Sequence, residues 1–124
     1  PKVTVDGFVE IIQADGSTRV TGINALSLAL ASAGIPMKDM VSACSVGKIN
    51  GTLIVDLNGV EDNNSESDVA VAMIASRNLV TLLQMDGMLT KAELMKLLDL
   101  AKKNCTSIHE LQRNALLEKY KGDE

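Results

Sequence analysis

The chain has 124 residues, the size of one domain, and a net charge of −4, which argues against nucleic acid held by this chain's own overall field. Hydrophobic residues make up 46% of it but aromatic residues only 2%, so we expect one domain over residues 1–124 with an aliphatic core. No apolar run approaches the roughly 20 residues of a membrane span, and no secretory signal pattern is visible. We therefore expect a cytoplasmic protein without a membrane partner.

The first predicted unit covers residues 3–34 and consists of a strand, a polar turn and a helix. Apolar residues alternate between positions 3 and 11, as they do in a strand. Ser17 and Thr18 then offer N-cap hydroxyls to an apolar helix that ends at Gly34.

The turn before this helix is a candidate anion site. Main-chain N–H groups point outward from a helix N-terminus, the helix dipole favours negative charge, and Arg19 adds a fixed cation. An ordinary structural turn is the alternative, because strand-to-helix turns often contain Gly, Ser and Thr.

The middle of the chain predicts a sheet. Strands are expected at 40–46, 52–57, 68–74 and 79–85, with a polar loop at 58–67. Asn50 and Gly51 are the strongest hairpin signal, and Lys48 in the same turn is expected to be solvated. Cys44 and Cys105 lie in apolar patterns, so we expect buried free thiols, and with His109 as the one histidine a zinc site is not favoured.

The C-terminal part predicts one long helix. Thr90 and Glu93 form a capping box, and apolar residues recur at helical spacing to about residue 117. Tyr120 is expected to pack near the helix end and residues 121–124 to fray. The order strand, helix, four strands, helix indicates an α+β fold with helices packed on a largely hairpin-connected sheet.

Acidic residues cluster between positions 56 and 68. Asp68 is the most informative of them, because a carboxylate that opens an apolar strand has a plausible chemical role. Asp62 and Asp68 could share Mg²⁺ if the loop folds back, with waters completing the shell. The alternative is a solvated acidic loop without a function.

Several motifs now occur together in chain order. These are residues 13–19 (QADGSTR), 22–25 (GINA), 33–37 (AGIPM), 56–58 (DLN), 61–62 (ED), 68–71 (DVAV) and 82–87 (LLQMDG). With them the sequence resembles the second half of an RNase PH-type domain, in particular that of the catalytic RNase PH-like subunits of the archaeal exosome. The resemblance covers nearly the whole chain.

The resemblance implies an RNase PH-like mixed sheet with helices packed on it, of which this chain is the C-terminal half. It also implies phosphorolytic 3′→5′ degradation of RNA that releases nucleoside diphosphates, with inorganic phosphate as co-substrate. Asp68 would be the catalytic carboxylate, acting as a general acid or through Mg²⁺, and Asp62 would be its acidic partner at that metal. The residues that would hold the phosphate are Gly16, Ser17, Thr18 and Arg19.

The partners implied by the resemblance are single-stranded RNA, a paralogous non-catalytic RNase PH-like subunit in a six-membered ring, and a companion segment that supplies the N-terminal half. That half carries strands of the same sheet and the arginines that grip RNA. We therefore expect the 124-residue chain alone to be inactive and poorly folded, with unpaired strand edges.

Two other functions compete with this hypothesis. One is a structural ring subunit of the same fold that binds RNA without catalysis, and the other is an unrelated module whose turn holds a small anion. The presence of both Asp68 and the turn at 16–19 favours the exoribonuclease.

Overall fold

The computed structural model describes residues 3–121 and contains a four-stranded sheet with helices on both faces. Within those residues no helix is both long and apolar enough to pass through a membrane. The predicted α+β class is confirmed, and the three strand pairings in the order β2-β1-β3-β4 are all antiparallel. The elements are α1 (Thr18–Ser32), β1 (Ser42–Ile49), β2 (Thr52–Val55), α2 (Gly59–Asn64), β3 (Ser67–Ile74), β4 (Leu79–Gly87) and α3 (Lys91–Tyr120).

The predicted first strand at residues 3–11 is wrong for this chain. Residues 3–11 carry no helix or strand, because a strand exists only through its hydrogen bonds to a neighbour and none of the four strands takes it as a partner. Its apolar side chains are consequently exposed to solvent, Phe8 by 89% and Val3 by 79%. The first strand was expected to have an unpaired edge. Residues 3–11 indeed have no strand partner, and they form an irregular segment instead of a strand.

The hairpin predicted at Asn50 and Gly51 is confirmed. Both residues have positive φ, 48° and 75°, as a type I′ turn requires, and Ile49 pairs directly with Thr52. β1 therefore runs to the turn itself rather than ending at residue 46. β3 and β4 are joined by a 3₁₀ turn over Ala75–Arg77.

The two faces of the sheet carry different side chains because successive strand residues point in opposite directions. α3 covers the face with the larger side chains, where Leu97 and Ala101 are fully buried against Val46 and Val71. Cys44 and Cys105 lie in this core with their Sγ atoms 3.7 Å apart, so the prediction of buried free thiols is confirmed. The hydrogen bond with the Cys105 thiol, together with burial, raises the pKa of Cys44.

α1 covers the opposite face, which is lined by small residues. Val20 packs on Ala43, Ala70 and Ala72, whose short side chains allow the helix to lie close to the sheet. Asp68 belongs to this same face, two residues before Ala70 along β3. The alternation along β3 thus brings a carboxylate to the N-terminal end of α1.

The loop predicted at 58–67 is wrong in its first half, where α2 forms. The Asn58 side chain accepts hydrogen bonds from the main chain of Val60 and Glu61, and the Glu61 side chain reaches back to the Asn58 N–H. This is a complete capping box, and it holds one short helical turn in an otherwise polar stretch. The pattern Asn-x-x-Glu was the signal that the sequence reasoning passed over.

The capping box predicted for α3 is confirmed at Thr90 and Glu93, and the helix continues to Tyr120. The Tyr120 side chain, expected to pack near the helix end, is 63% exposed, and its hydroxyl donates to the Ser32 carbonyl at 2.9 Å, which joins the ends of α3 and α1. Of the predicted fraying tail at 121–124, residues 122–124 lie outside the described residues.

Lys48 is not a solvated turn residue. It lies on β1, and its Nζ is 2.9 Å from Glu93 and 3.1 Å from Glu66, with 18% of its side chain exposed. The three side chains join the sheet to the first turn of α3. The ion pair and the Thr90 cap lower the pKa of Glu93 from its usual value of 4.5 to about 2.

This pKa predicts a pH-dependent contribution of Glu93 to stability. The folded-state pKa lies below the unfolded value, so the contribution is present above pH 4.5 and is lost as the pH falls from there towards about 2. In the full-length protein, Glu93→Gln should lower the melting temperature at pH 7, and the difference from wild type should shrink as the pH drops below 4.5. Glu110→Gln, on the exposed side of the same helix, is the control. A pH-independent difference would contradict this account.

Candidate functional site

The site begins at the N-terminus of α1. The Thr21 N–H donates to the Ser17 carbonyl at 3.2 Å as the first helical hydrogen bond, which leaves the N–H groups of residues 18–20 without an intrahelical acceptor. No side chain caps this end, so the predicted N-cap role of the Ser17 and Thr18 hydroxyls is wrong. The Ser17 hydroxyl instead donates to the Leu57 carbonyl at 2.7 Å. The uncapped N–H groups remain open to an anion.

The turn is fixed from behind by the chain that follows β2. Gly16 has φ +77°, and a Cβ there would come within 2.6 Å of the Leu57 carbonyl oxygen and the Asn58 carbonyl carbon. Asp15 Oδ1 accepts a hydrogen bond from the Gly59 N–H at 3.0 Å. The turn therefore lies directly against the start of α2, which only a residue without a side chain permits.

A cleft of about 130 Å³ opens between this turn and the start of β3. Ser17, Thr18 and Arg19 line one side, and Asp62 and Asp68 line the other. The chain thus folds back as required for Asp62 and Asp68 to share a site. Five of the six predicted site residues line one cleft, and the sixth, Gly16, supports it from behind.

The charged side chains around the cleft differ in their surroundings. The ion pairs within 4 Å among the described residues both belong to Lys48, so the exposed Arg19 guanidinium is available to a ligand. Burial raises the pKa of Asp68 above its usual value, Asp62 and Asp86 raise it further, and Arg19 opposes them. Asp68 is therefore the carboxylate most inclined to hold a proton at this site.

Asp86 is the residue that the sequence reasoning missed. It pairs directly with Asp68 across β3 and β4, and both line a second cavity of about 260 Å³ with Asp62. A bulge between Ala72 and Met73 shifts the register by one residue. Counting back from the β3–β4 turn without that bulge places Met85 opposite Asp68, which is why the sequence alone does not reveal the pair.

The carboxylates of Asp62 and Asp68 are also the candidate ligands for a metal ion. Within residues 3–121 no three His, Cys, Asp or Glu side chains form a metal-binding group. Mg²⁺, however, usually takes one or two carboxylates and completes its shell with waters and substrate phosphates. Burial raises the Asp68 pKa most, and the charges of Asp62 and Asp86 add to it. A cation would relieve that charge repulsion, so the carboxylates of Asp62 and Asp68 fit the ligand type that Mg²⁺ prefers.

The family of this chain follows from its sequence matches. Residues 39–104 match the model described as "3′ exoribonuclease family, domain 2", which is more than half of the chain. The chain belongs to this 3′ exoribonuclease family. The expected RNase PH-type relationship is thereby confirmed.

Particular relatives agree with the family match. The chain is 55% identical over 120 residues to Exosome complex component Rrp41 of Thermococcus kodakarensis, which covers 97% of this chain and 48% of that protein. It is 48% identical over 123 residues to Exosome complex component Rrp41 of Methanopyrus kandleri, with 99% and 52% covered. The chain thus spans about half the length of the curated relatives it matches.

A solved structure shows the same fold. The crystal structure of rice (Oryza sativa) Rrp46 matches with a TM-score of 0.79 and 25% sequence identity, over 86% of this chain and 51% of that one. The expected RNase PH-like architecture, of which this chain is about half, is confirmed.

Proposed function

We propose that this chain is the catalytic half-domain of a phosphate-dependent 3′→5′ exoribonuclease, an RNase PH-like subunit of an exosome core. The observation that carries the proposal is the single cleft in which an uncapped helix N-terminus and Arg19 face Asp62 and Asp68. A phosphorolytic enzyme needs both halves of this arrangement, a cradle for the attacking anion and an acidic group for the leaving oxygen.

The cradle binds and orients inorganic phosphate. The N–H groups of residues 18–20 point out of α1 without intrahelical acceptors, and the guanidinium of Arg19 offers paired donors to phosphate oxygens. The cleft is small, about 130 Å³, which suits one phosphate group. Holding the nucleophile in this way replaces a collision in solution with a fixed approach to the terminal RNA linkage.

Asp68 acts on the leaving group. An oxygen of the bound phosphate attacks the terminal phosphorus of the RNA, and the bond from that phosphorus to the 3′ oxygen of the preceding nucleotide breaks. The released 3′ oxygen takes up a proton, which the carboxyl of Asp68 donates, and the terminal nucleotide leaves as a nucleoside diphosphate. The alternative to this proton donation is Mg²⁺, which the ionised carboxylates of Asp62 and Asp68 would hold and which would supply charge neutralisation at the phosphate oxygens.

The partners proposed are single-stranded RNA, a companion segment for the other half of the domain, and a paralogous non-catalytic ring subunit. Apolar side chains along β4 are half exposed, from Met85 at 44% to Leu79 at 52%, and those of residues 3–12 are also uncovered. Such surfaces need a covering partner. The relatives' additional length provides enough chain for one.

The test uses the full-length protein assembled with its ring partner, 5′-labelled single-stranded RNA and Mg²⁺, with and without inorganic phosphate. We expect 3′ shortening only with phosphate, and nucleoside diphosphates as the product. Shortening that releases nucleoside monophosphates without phosphate would contradict the proposal. RNA binding without any shortening would instead identify a structural ring subunit.

A further inference from the structure

Ser45, a buried serine outside the predicted site, is hydrogen-bonded to the turn that precedes α1. Ser45 lies in β1, is 3% exposed, and pairs with Ala70 across β1 and β3. It therefore lies on the α1 side of the sheet, the side to which Asp68 also belongs. Ser45 and Asp68 line the same cleft.

The hydrogen bonds around Ser45 form a chain in which each group donates to the next. The Leu57 N–H donates to Ser45 Oγ at 3.1 Å, and Ser17 Oγ donates to the Leu57 carbonyl at 2.7 Å. The two serine hydroxyls are 2.5 Å apart. Because the single proton of Ser17 is already used on Leu57, Ser45 must donate to Ser17. The four groups form a closed ring that begins and ends on Leu57.

This ring holds Ser17 in an unfavourable backbone conformation. Ser17 has φ 53° and is one of four non-glycine residues with positive φ among the described residues. Such a conformation persists only where the surroundings impose it. The ring also occupies the Ser17 hydroxyl proton, so that hydroxyl has none left to donate to a phosphate oxygen.

We propose that Ser45 is a positioning residue for the phosphate nucleophile. Resting on the proposed function, this inference assigns phosphate recognition to the main-chain N–H groups of residues 18–20 and the Arg19 side chain, and not to the Ser17 hydroxyl. Ser45 acts through Ser17: its hydroxyl sets the position of the turn and thereby the direction of the N–H groups that face the cleft.

The proposal is tested by steady-state kinetics of the assembled full-length protein, with phosphate and RNA varied separately. Ser45→Ala should raise the KM for phosphate about tenfold, as expected for the loss of one or two hydrogen bonds. The kcat at saturating phosphate and the KM for RNA should stay within about twofold. Ser17→Ala should have the same effect, and the double variant should be no worse than either single variant, because both break one ring.

Ser42→Ala is the matched control. Ser42 is a fully buried serine of the same strand, paired with Met73 on the face covered by α3, and it should leave the KM for phosphate unchanged. A merely structural role for Ser45 would lower the folded fraction and hence kcat, without moving the KM for phosphate, and that result would overturn the inference. So would a raised KM in Ser17→Ala alone, which would show that Ser17 binds phosphate directly. Phosphate-independent activity of the wild type would overturn the proposed function itself.

Discussion

Asp68→Asn is expected to lower kcat about 10³-fold in the assembled full-length protein, within the range for loss of a general acid. The substitution preserves the size and shape of the side chain. It removes the ionisable carboxyl group beside the cleft. It also removes one of the two carboxylates that would hold Mg²⁺. RNA affinity should remain within a few-fold of wild type, because the phosphates of RNA bind to cations and N–H groups rather than to Asp68.

The control for this prediction is Asp99→Asn. Asp99 is an exposed carboxylate on α3, beside Lys102 and away from the cleft, so its removal should leave kcat within twofold. Asp62→Asn should fall between the two variants, because Asp62 is exposed and contributes through charge and metal rather than by donating the proton. Activity of Asp68→Asn equal to that of Asp99→Asn would remove Asp68 from the mechanism.

Gly16→Ala is expected to lower kcat/KM for phosphate by about 100-fold, the rate effect typical of an active-site displacement of roughly 1 Å. The new Cβ would lie 2.6 Å from main-chain atoms of Leu57 and Asn58, and neither can rotate away as a side chain could. The turn must therefore move away from α2. The N–H groups and Arg19 then lose their position opposite Asp62 and Asp68.

Gly51→Ala is the control for the general cost of an alanine at positive φ. Gly51 also has a positive φ, +75°, but nothing lies within 4 Å of its would-be Cβ. The two variants share the cost of placing alanine in a left-handed conformation, about 1–2 kcal/mol. They differ in the collision and in position, because Gly51 lies in the β1–β2 turn and not at the cleft. Equal kinetic parameters for phosphate in both would show that the contact between the turn and α2 does not matter.

Local sequence signals predicted much of this fold because they act over a few residues. Asn50 and Gly51 specify their hairpin through positive φ, and Thr90 with Glu93 starts α3 through a capping box. The ion pairs of Lys48 could not be predicted from such local signals. Its two carboxylate partners lie 18 and 45 residues further along the chain, and only the folded sheet brings them together.

The sequence predicted individual residues of the candidate site, but not the neighbours that the fold brings to them. Arg19 and Asp68 were identified by a turn motif, a strand-opening carboxylate and a family resemblance, and the structure places them at one cleft. Asp86 escaped because a bulge sets its register, and Ser45 because a serine in a buried strand gives no local signal. The segment at 3–11 failed for a third reason: its alternation is that of a strand, but a strand needs a partner.

The position of a bound oxyanion decides whether this cleft is a phosphate site. A crystal structure of the assembled full-length protein grown with tungstate, whose anomalous signal marks a phosphate-like oxyanion, would locate it. We expect tungstate within hydrogen-bond distance of the N–H groups of residues 18–20 and of the Arg19 guanidinium, on the side of the cleft that faces Asp68. Tungstate bound elsewhere, with this cleft left free, would contradict the account of one site that joins a phosphate cradle to a catalytic carboxylate.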